Sequence, residues 1–430
     1  MDLGQPRQLL LDLFQTAVDA ADPAHCLTGR LPDPPSGRTI VVGAGKAAAA
    51  MAAEVERQWS GPLEGLVITP YGHGMATERI EVVEAAHPVP DQAGQDAAGR
   101  ILALAAGAGE NDLVLCLISG GGSSLMALPA PGLSLDDKRE VNTQLLKSGA
   151  TIHEINCVRK HLSAIKGGRL AAAAYPARTV SLAISDVTGD DPSSIASGPT
   201  VGDPTRFDDA RAILAKYGIE PPASVVRQLA DAADETPKPG DPRLAESHYT
   251  VIATPQDSLQ AAAEKARAAG LNTLILGDTI EGESRDVALV HAAIVRQIVQ
   301  HGEPVAPPCV ILSGGETTVT MRHDGGSGGR NRVFALALAA ALQGLAGVHG
   351  LAADTDGIDG SPNGAGAVFG PDTLARAAEA GLDARQALDH DDSGGFFAAL
   401  DDAIVTGPTR TNVNDFRAIV VAIGDTPNTT

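Results

Sequence analysis

Short, mostly apolar runs that alternate with helix-like stretches, some ending at glycine, constrain this chain more than any other feature. They are RTIVVGAG (38–45), GLVITP (65–70), IEVVEAA (80–86) and DLVLCLISGGG (112–122), followed later by TVSLAISD (179–186). A strand apolar on both faces is buried on both faces, as in a parallel sheet covered by helices. The helices are expected over 5–20, in the Ala-rich stretch after Lys46, near 94–107 and through a long region near 135–174. The rhythm predicts an α/β fold with a doubly wound parallel sheet.

The polar, proline-rich stretch ETPKPGDPRLAES (235–247) reads as a linker. Beyond it the rhythm restarts with HYTVIAT, NTLILGD, CVILSGGETTVTM, LAADTDG, AIVTG and FRAIVVAIG, with helices from about 257, near 283–301 and from about Arg332. The expected organisation is an N-terminal domain over 1–240 and a smaller C-terminal α/β domain over 248–430. At 430 residues two cores are the default. With aromatics at only 3%, those cores must be aliphatic. DTPNTT at the end reads as frayed.

A formal charge of −21 argues against nucleic acid or an anionic membrane face as a partner. Any anion site must therefore be assembled from a few local cations. The four cysteines show no paired spacing and read as reduced thiols, no apolar run reaches spanning length, and no secretory pattern opens the chain. A cytoplasmic protein is expected.

Several motifs carry chemistry. In VVGAGKAAAA (41–50), Gly43 and Gly45 end a strand and open a helix, where backbone N–H groups face an anion. The spacing is not a P-loop. It fits the dinucleotide pattern Gly43-x-Gly45-x-x-Ala48, but the next strand ends LVITPYGHG, without the acidic residue that grips ribose. Lys46 stands at a helix start, where positive charge is disfavoured unless it serves a ligand. In SGGGSS (119–124), the backbone of Gly120, Gly121 and Gly122 and the hydroxyls of Ser119, Ser123 and Ser124 suit an anion at the carboxyl end of a strand. INCVRKHLSAIKGGRL (155–170) gathers Arg159, Lys160, His161, Lys166 and Arg169, about half of which a solvated helix face explains. His153, Cys157 and His161 would share that face, though a buried cysteine and ordinary histidines account for them better than a metal does.

In AISDVTGDDPSSIASGPT (183–200), Asp186 and Asp190 follow a strand, as a magnesium ion bridging to nucleotide phosphates requires. The second half offers Gly314, Gly315 and Glu316 in ILSGGETTVT, Arg330 in SGGRNR, the carboxylates of AADTDGIDGSPNGAGA (352–367), and Asn412 in GPTRTNVND (407–415). The 352–367 stretch fails the EF-hand pattern.

Together VVGAGKAA, ISGGGSSLM, INCVRKHLSAIKGGRLA, ISDVTGDDPSSIASGPT, LSGGETTV, GGRNR, AADTDGIDGSPNGAGA and GPTRTNVNDF resemble the glycerate 2-kinases whose C-terminal region carries the MOFRL motif. The chain departs from that pattern at Arg332, where glutamine is usual, and near Arg410, where a small residue is. The resemblance implies a two-domain α/β enzyme, with a Rossmann-like N-terminal half and a smaller C-terminal half, that phosphorylates D-glycerate to 2-phosphoglycerate with ATP and Mg²⁺ or another divalent cation. It implies Lys46 and Arg330 as active-site cations facing each other across an interdomain cleft, and it leaves a homodimer open. The general base stays open among Asp186, Asp191 and Asp354. Two rivals stand beside this reading: an NAD(P)H-dependent hydroxypyruvate reductase and a non-catalytic module that senses a sugar acid.

Overall fold

The computed structural model describes residues 5–321, 323, 326–360 and 364–422; the terminal DTPNTT lies outside them. The chain forms two compact units, Pro23–Ile252 and a second made of Met1–Asp22 with Ala253–Thr430.

In the first unit a six-stranded sheet has the order β3-β2-β1-β4-β5-β6. Its strands are β1 (Thr39–Ala44), β2 (Leu63–Pro70), β3 (Ile80–Ala85), β4 (Leu113–Ile118), β5 (Arg178–Ile184) and β6 (Ser247–Ala253). The first five run parallel. Every residue of β1 and β4 is buried, as unbroken apolar runs require. Ile40, Val42, Val114, Cys116 and Ile118 pack with Ala97, Ala98 and Ile101 of helix Gln92–Ala106 in one core. That helix starts where Asp91 accepts the Gly94 N–H at 3.0 Å.

The second unit has a mixed sheet, order β11-β10-β9-β12-β8-β7. Its strands are β7 (Asn272–Glu283), β8 (Cys309–Thr318), β9 (Val348–Asp354), β10 (Gly366–Phe369), β11 (Ala403–Ile404) and β12 (Asp415–Val421). Only β7 and β8 run parallel; β12 lies antiparallel to both β8 and β9. Side chains alternate along β8. Cys309 and Ile311 join Val295, Phe334 and Leu338 on one face. Val310 and Leu312 join Leu10, Phe14 and Ala262 on the other.

The structure differs from the expected organisation in four places. Helix Pro6–Ala20 belongs to the second unit, because Leu10, Leu13 and Phe14 fill the core beside β8 and β12. The stretch 235–247 is not a linker: Asp203 donates its N–H to the Pro237 carbonyl and accepts from Thr236 Oγ1, and β6 after it completes the first sheet. The long helical region breaks into Leu135–Lys147, Ile152–His161 and Arg169–Ala174, where Gly149, Gly167 and Gly168 take positive φ. Finally, Gly314 and Gly315 do not end a strand but lie inside β8. Among the described residues no helix is long and apolar enough to cross a membrane.

Candidate active site

In the first unit two glycine turns at the carboxyl ends of β1 and β4 lock together. Lys46 donates its backbone N–H to the Gly120 carbonyl at 2.8 Å, and Ser119 returns its own N–H to Ala44 at 3.2 Å. Ser119 Oγ accepts the Ala47 N–H at 2.9 Å. A Cβ on Gly43 would overlap the Leu117 carbonyl, and one on Gly45 would overlap Ser119. Gly45 also takes φ +147. These glycines are therefore required for close approach of the two turns. Lys46 stands, half-buried, just before helix Ala48–Gln58.

The sequence-expected residues Gly43, Gly45, Lys46 and 119–124 thus come together, but the serines are largely engaged. Ser123 Oγ bonds Ser197 Oγ at 2.8 Å, and Ser124 Oγ lies 2.7 Å from His87 Nδ1. Among the described residues, the N–H groups of Gly120 and Gly121 have no protein acceptor. These two donors, more than the hydroxyls, are available to an anion.

The basic cluster separates into two roles. Lys160 pairs with Asp203 at 3.4 Å, and Arg169 pairs with Asp234. His161 is fully buried, with Nδ1 on the Cys157 carbonyl at 2.8 Å and Nε2 3.3 Å from Glu235. These three are buried or paired within the fold rather than spread on a solvated face. Arg159 and Lys166 instead line a cavity beneath the Ser-Gly-Gly turn.

Asp186 and Asp190 lie half-buried in the loop after β5. Their neighbour Asp191 is a loop brace: it accepts from Ser193 N, Ser193 Oγ and Ser194 Oγ at 3.0, 2.6 and 3.0 Å. Burial pushes its carboxyl up, but these bonds win and hold it below the ordinary range. Among the described residues no three His, Cys, Asp or Glu side chains cluster as a metal site.

In the second unit Arg330 is the hub. Its Nε donates to Asp415 at 2.7 Å, Nη1 to Glu316 at 2.8 Å and Nη2 to Asp354 at 2.8 Å, tying β12, β8 and β9 together. Burial pulls the guanidinium down, but Asp415, Asp354 and Glu316 outweigh it and hold Arg330 above its ordinary value. A guanidinium has five N–H donors, so two remain for a ligand. The cleft that Arg330 lines, about 970 Å³, also carries Glu316, Thr317, Gly329 and Asp354.

Gly314 and Gly315 serve the sheet here: Gly315, at φ +105, sits where any Cβ would strike Ile280 across a bulge. The helix start at Arg330 is already filled, because Asp359 accepts the N–H groups of Asn331 and Arg332 at 2.9 Å each. Arg332 also donates Nε to Asp359 at 3.1 Å, so the departure from the family's usual glutamine is an internal ion pair. Asn412 is buried and accepts the Asn414 N–H at 3.2 Å; its loop packs on the 354–359 turn through Thr409 Oγ1 to the Thr355 carbonyl at 2.6 Å.

Sequence reasoning missed two things. Asp415, wholly buried, holds Arg330, Asn331 and Arg417 at once. Its only signal was a position at the end of a polar loop entering an apolar strand. Lys138, in a helix of evenly mixed charge, lines the first unit's cavity, and no local pattern announces that.

Two glycine turns meet at the carboxyl ends of parallel strands in this α/β fold, where ligands of such sheets commonly bind. The domain of unknown function DUF4147 matches residues 9–230, and the MOFRL family matches 309–415. A "Putative hydroxypyruvate reductase" of Agrobacterium vitis is 53% identical, covering 96% of this chain and 94% of its own. A glycerate 2-kinase of Pyrococcus horikoshii is 40% identical, covering 97% of each. The crystal structure of a glycerate kinase from Thermotoga maritima superposes with TM-score 0.88 at 36% identity, covering 97% of this chain and 100% of that one. The chain belongs to this DUF4147–MOFRL family, to which the glycerate 2-kinases belong.

Proposed function

We propose that the chain transfers the γ-phosphoryl group of ATP to the 2-hydroxyl of D-glycerate, giving 2-phosphoglycerate and ADP. The observation that carries this over the reductase reading is the packing around Gly43 and Gly45. In a dinucleotide fold the second glycine lets a pyrophosphate approach the backbone. Here the Cβ direction of Gly45 faces Ser119, so this glycine serves contact with the 119–124 turn. The next strand, β2, runs into Pro70-Tyr71-Gly72 without a carboxylate of its own, and Glu84 beside it is taken up by the Gly72 and Gly74 N–H groups at 2.9 and 3.0 Å. Relatives named glycerate 2-kinases, similar over nearly the whole chain, support phosphoryl transfer with ATP as donor.

Phosphoryl transfer needs positioning and charge stabilisation more than covalent chemistry. Lys46 and the free N–H groups of Gly120 and Gly121 supply positive potential in the first unit. Arg330 contributes its two remaining donors from within its carboxylate clamp. Asp186 and Asp190 would hold Mg²⁺ jointly with phosphate oxygens, since this ion commonly takes only one or two protein carboxylates in such sites. Bound there, it would neutralise phosphate charge. The 2-hydroxyl loses its proton as its oxygen bonds to phosphorus and the bond to the β-phosphate oxygen breaks.

The test couples the reaction to enolase and pyruvate kinase without phosphoglycerate mutase. Pyruvate formed from D-glycerate and ATP confirms the 2-position, whereas pyruvate only after mutase is added moves the acceptor to the 3-hydroxyl. Oxidation of NADH or NADPH by hydroxypyruvate, with no ATP-dependent product, would overturn the kinase reading.

A further inference from the structure

The cavity under the Ser-Gly-Gly turn of the first unit has no role in what is argued above. It encloses about 210 Å³, and its walls include Gly121, Ser124, His87, Lys138, Arg159 and Lys166. The three long cations have only neutral oxygens for partners. Lys166 Nζ donates to the carbonyls of Ser123 at 2.7 Å and Ala196 at 3.4 Å. Lys138 Nζ reaches the Leu128 carbonyl at 3.4 Å, and Arg159 Nε donates to Asn142 Oδ1 at 2.7 Å. Among the described residues no carboxylate pairs with any of the three, although the chain carries a net −21. Uncompensated cations gathered in a cavity are costly unless an anion joins them.

Their ionisation reflects this strain. Burial and then repulsion from its neighbours push Lys166 well below its ordinary value. Burial, followed by Arg159, takes Lys138 to about 7, and burial takes Arg159 to about 10.

We infer that this cavity is the acceptor-substrate pocket, with the carboxylate of a three-carbon hydroxy acid seated among Lys138, Arg159 and Lys166. The assignment rests on the kinase reading for the identity of the acid, and on the cavity itself for its chemistry. Size favours the acid: the volume equals about seven waters at roughly 30 Å³ each, and drug-sized ligands need roughly 300 Å³ or more. The walls favour it too. A nucleotide triphosphate arrives with its divalent cation, and no wall of this cavity offers a carboxylate to share that cation. Leu145 and Leu162 provide an apolar side for a short carbon skeleton. The Ser-Gly-Gly turn that bonds Lys46 also supplies Gly121 and Ser124 to this wall, so the pocket and Lys46 share one rigid turn.

Two measurements test the pocket. In the first, Arg159→Gln should raise KM for D-glycerate roughly tenfold to a hundredfold, the loss of a charge-assisted hydrogen bond, while KM for MgATP stays within about twofold. Arg159→Lys should recover part of the loss. A rise in KM for MgATP alone would assign the pocket to phosphate, and no change in either constant would remove it from the site. In the second, the wild-type protein is acetylated near pH 8 and modification of Lys138 is followed by mass spectrometry. D-glycerate should protect Lys138, and ADP or inorganic phosphate should not. Protection by the phosphates only, or by none of the three, overturns the assignment. This footprint needs neither a variant nor turnover, so a protein that binds glycerate without phosphorylating it would sink the kinase reading and leave the pocket standing.

Discussion

Replacing Arg330 with lysine separates what the guanidinium does for the fold from what it does for reactants. The planar fork of Arg330 meets three carboxylates at 2.7, 2.8 and 2.8 Å, each on a different strand. A lysine ammonium keeps the charge but is a single point, and it cannot reach all three acceptors. The Glu316 carboxylate is 53% exposed, so losing that pair costs little. Asp415 and Asp354 are 0% and 5% exposed; Asp415 keeps its pair with Arg417, and losing the Arg330 hydrogen bond at these buried carboxylates costs about 2–3 kcal/mol. For a unit of this size that corresponds to a midpoint lowered by roughly 5–10 °C. The assay is calorimetric melting of both proteins, with hydrogen exchange at β8 and β12 to locate the loosened strands. Activity should also fall, because the two free donors are displaced. A variant that melts with the wild-type protein would refute the clamp. If it were also inactive, Arg330 would act on the reactants without holding the strands together.

Three further outcomes are expected. Lys46→Ala should lower turnover by orders of magnitude with a melting midpoint near that of the wild type, because its backbone bond to Gly120 survives the substitution; turnover within a few-fold of wild type would remove Lys46 from the chemistry. EDTA should abolish activity and excess Mg²⁺ restore it, with Asp186→Asn needing more metal for half activity; an unchanged requirement would place the ion elsewhere. Burial, opposed only in part by the bond to Val287, lowers His291 to about 4, with Ser313 Oγ 3.0 Å from its Nε2. The unfolded state therefore takes up a proton below about pH 6.5 that the folded state refuses until about pH 4. Stability of the second unit should decline by up to about 3 kcal/mol as pH falls through that window, and His291→Gln should remove this part of the slope.

Much of the first unit was legible because its signals are local. Buried parallel strands write themselves as unbroken apolar runs, and β1 to β5 all stand where those runs predicted. Gly43, Gly45 and the 119–124 turn were visible because close backbone approach tolerates no side chain. In the second unit Gly314 and Gly315 carried the same signal for a different reason: a bulge between β7 and β8, which a glycine pair cannot distinguish from a ligand turn.

What only the tertiary structure decided is which distant charges meet. Nothing near Asp415 in sequence says that it lies against Arg330, 85 residues away, or that Asp359 fills the helix start a phosphate would otherwise use. Lys138 reads locally as one charge on a surface helix, and becomes a cavity cation only when that helix packs beside Arg159 and Lys166. The assignment of helix Pro6–Ala20 to the second unit has the same origin. Apolar periodicity determines that a helix will bury one face. Which core receives that face, and whether a charge finds an opposite or a like neighbour, depends on long-range packing that no short window of sequence contains.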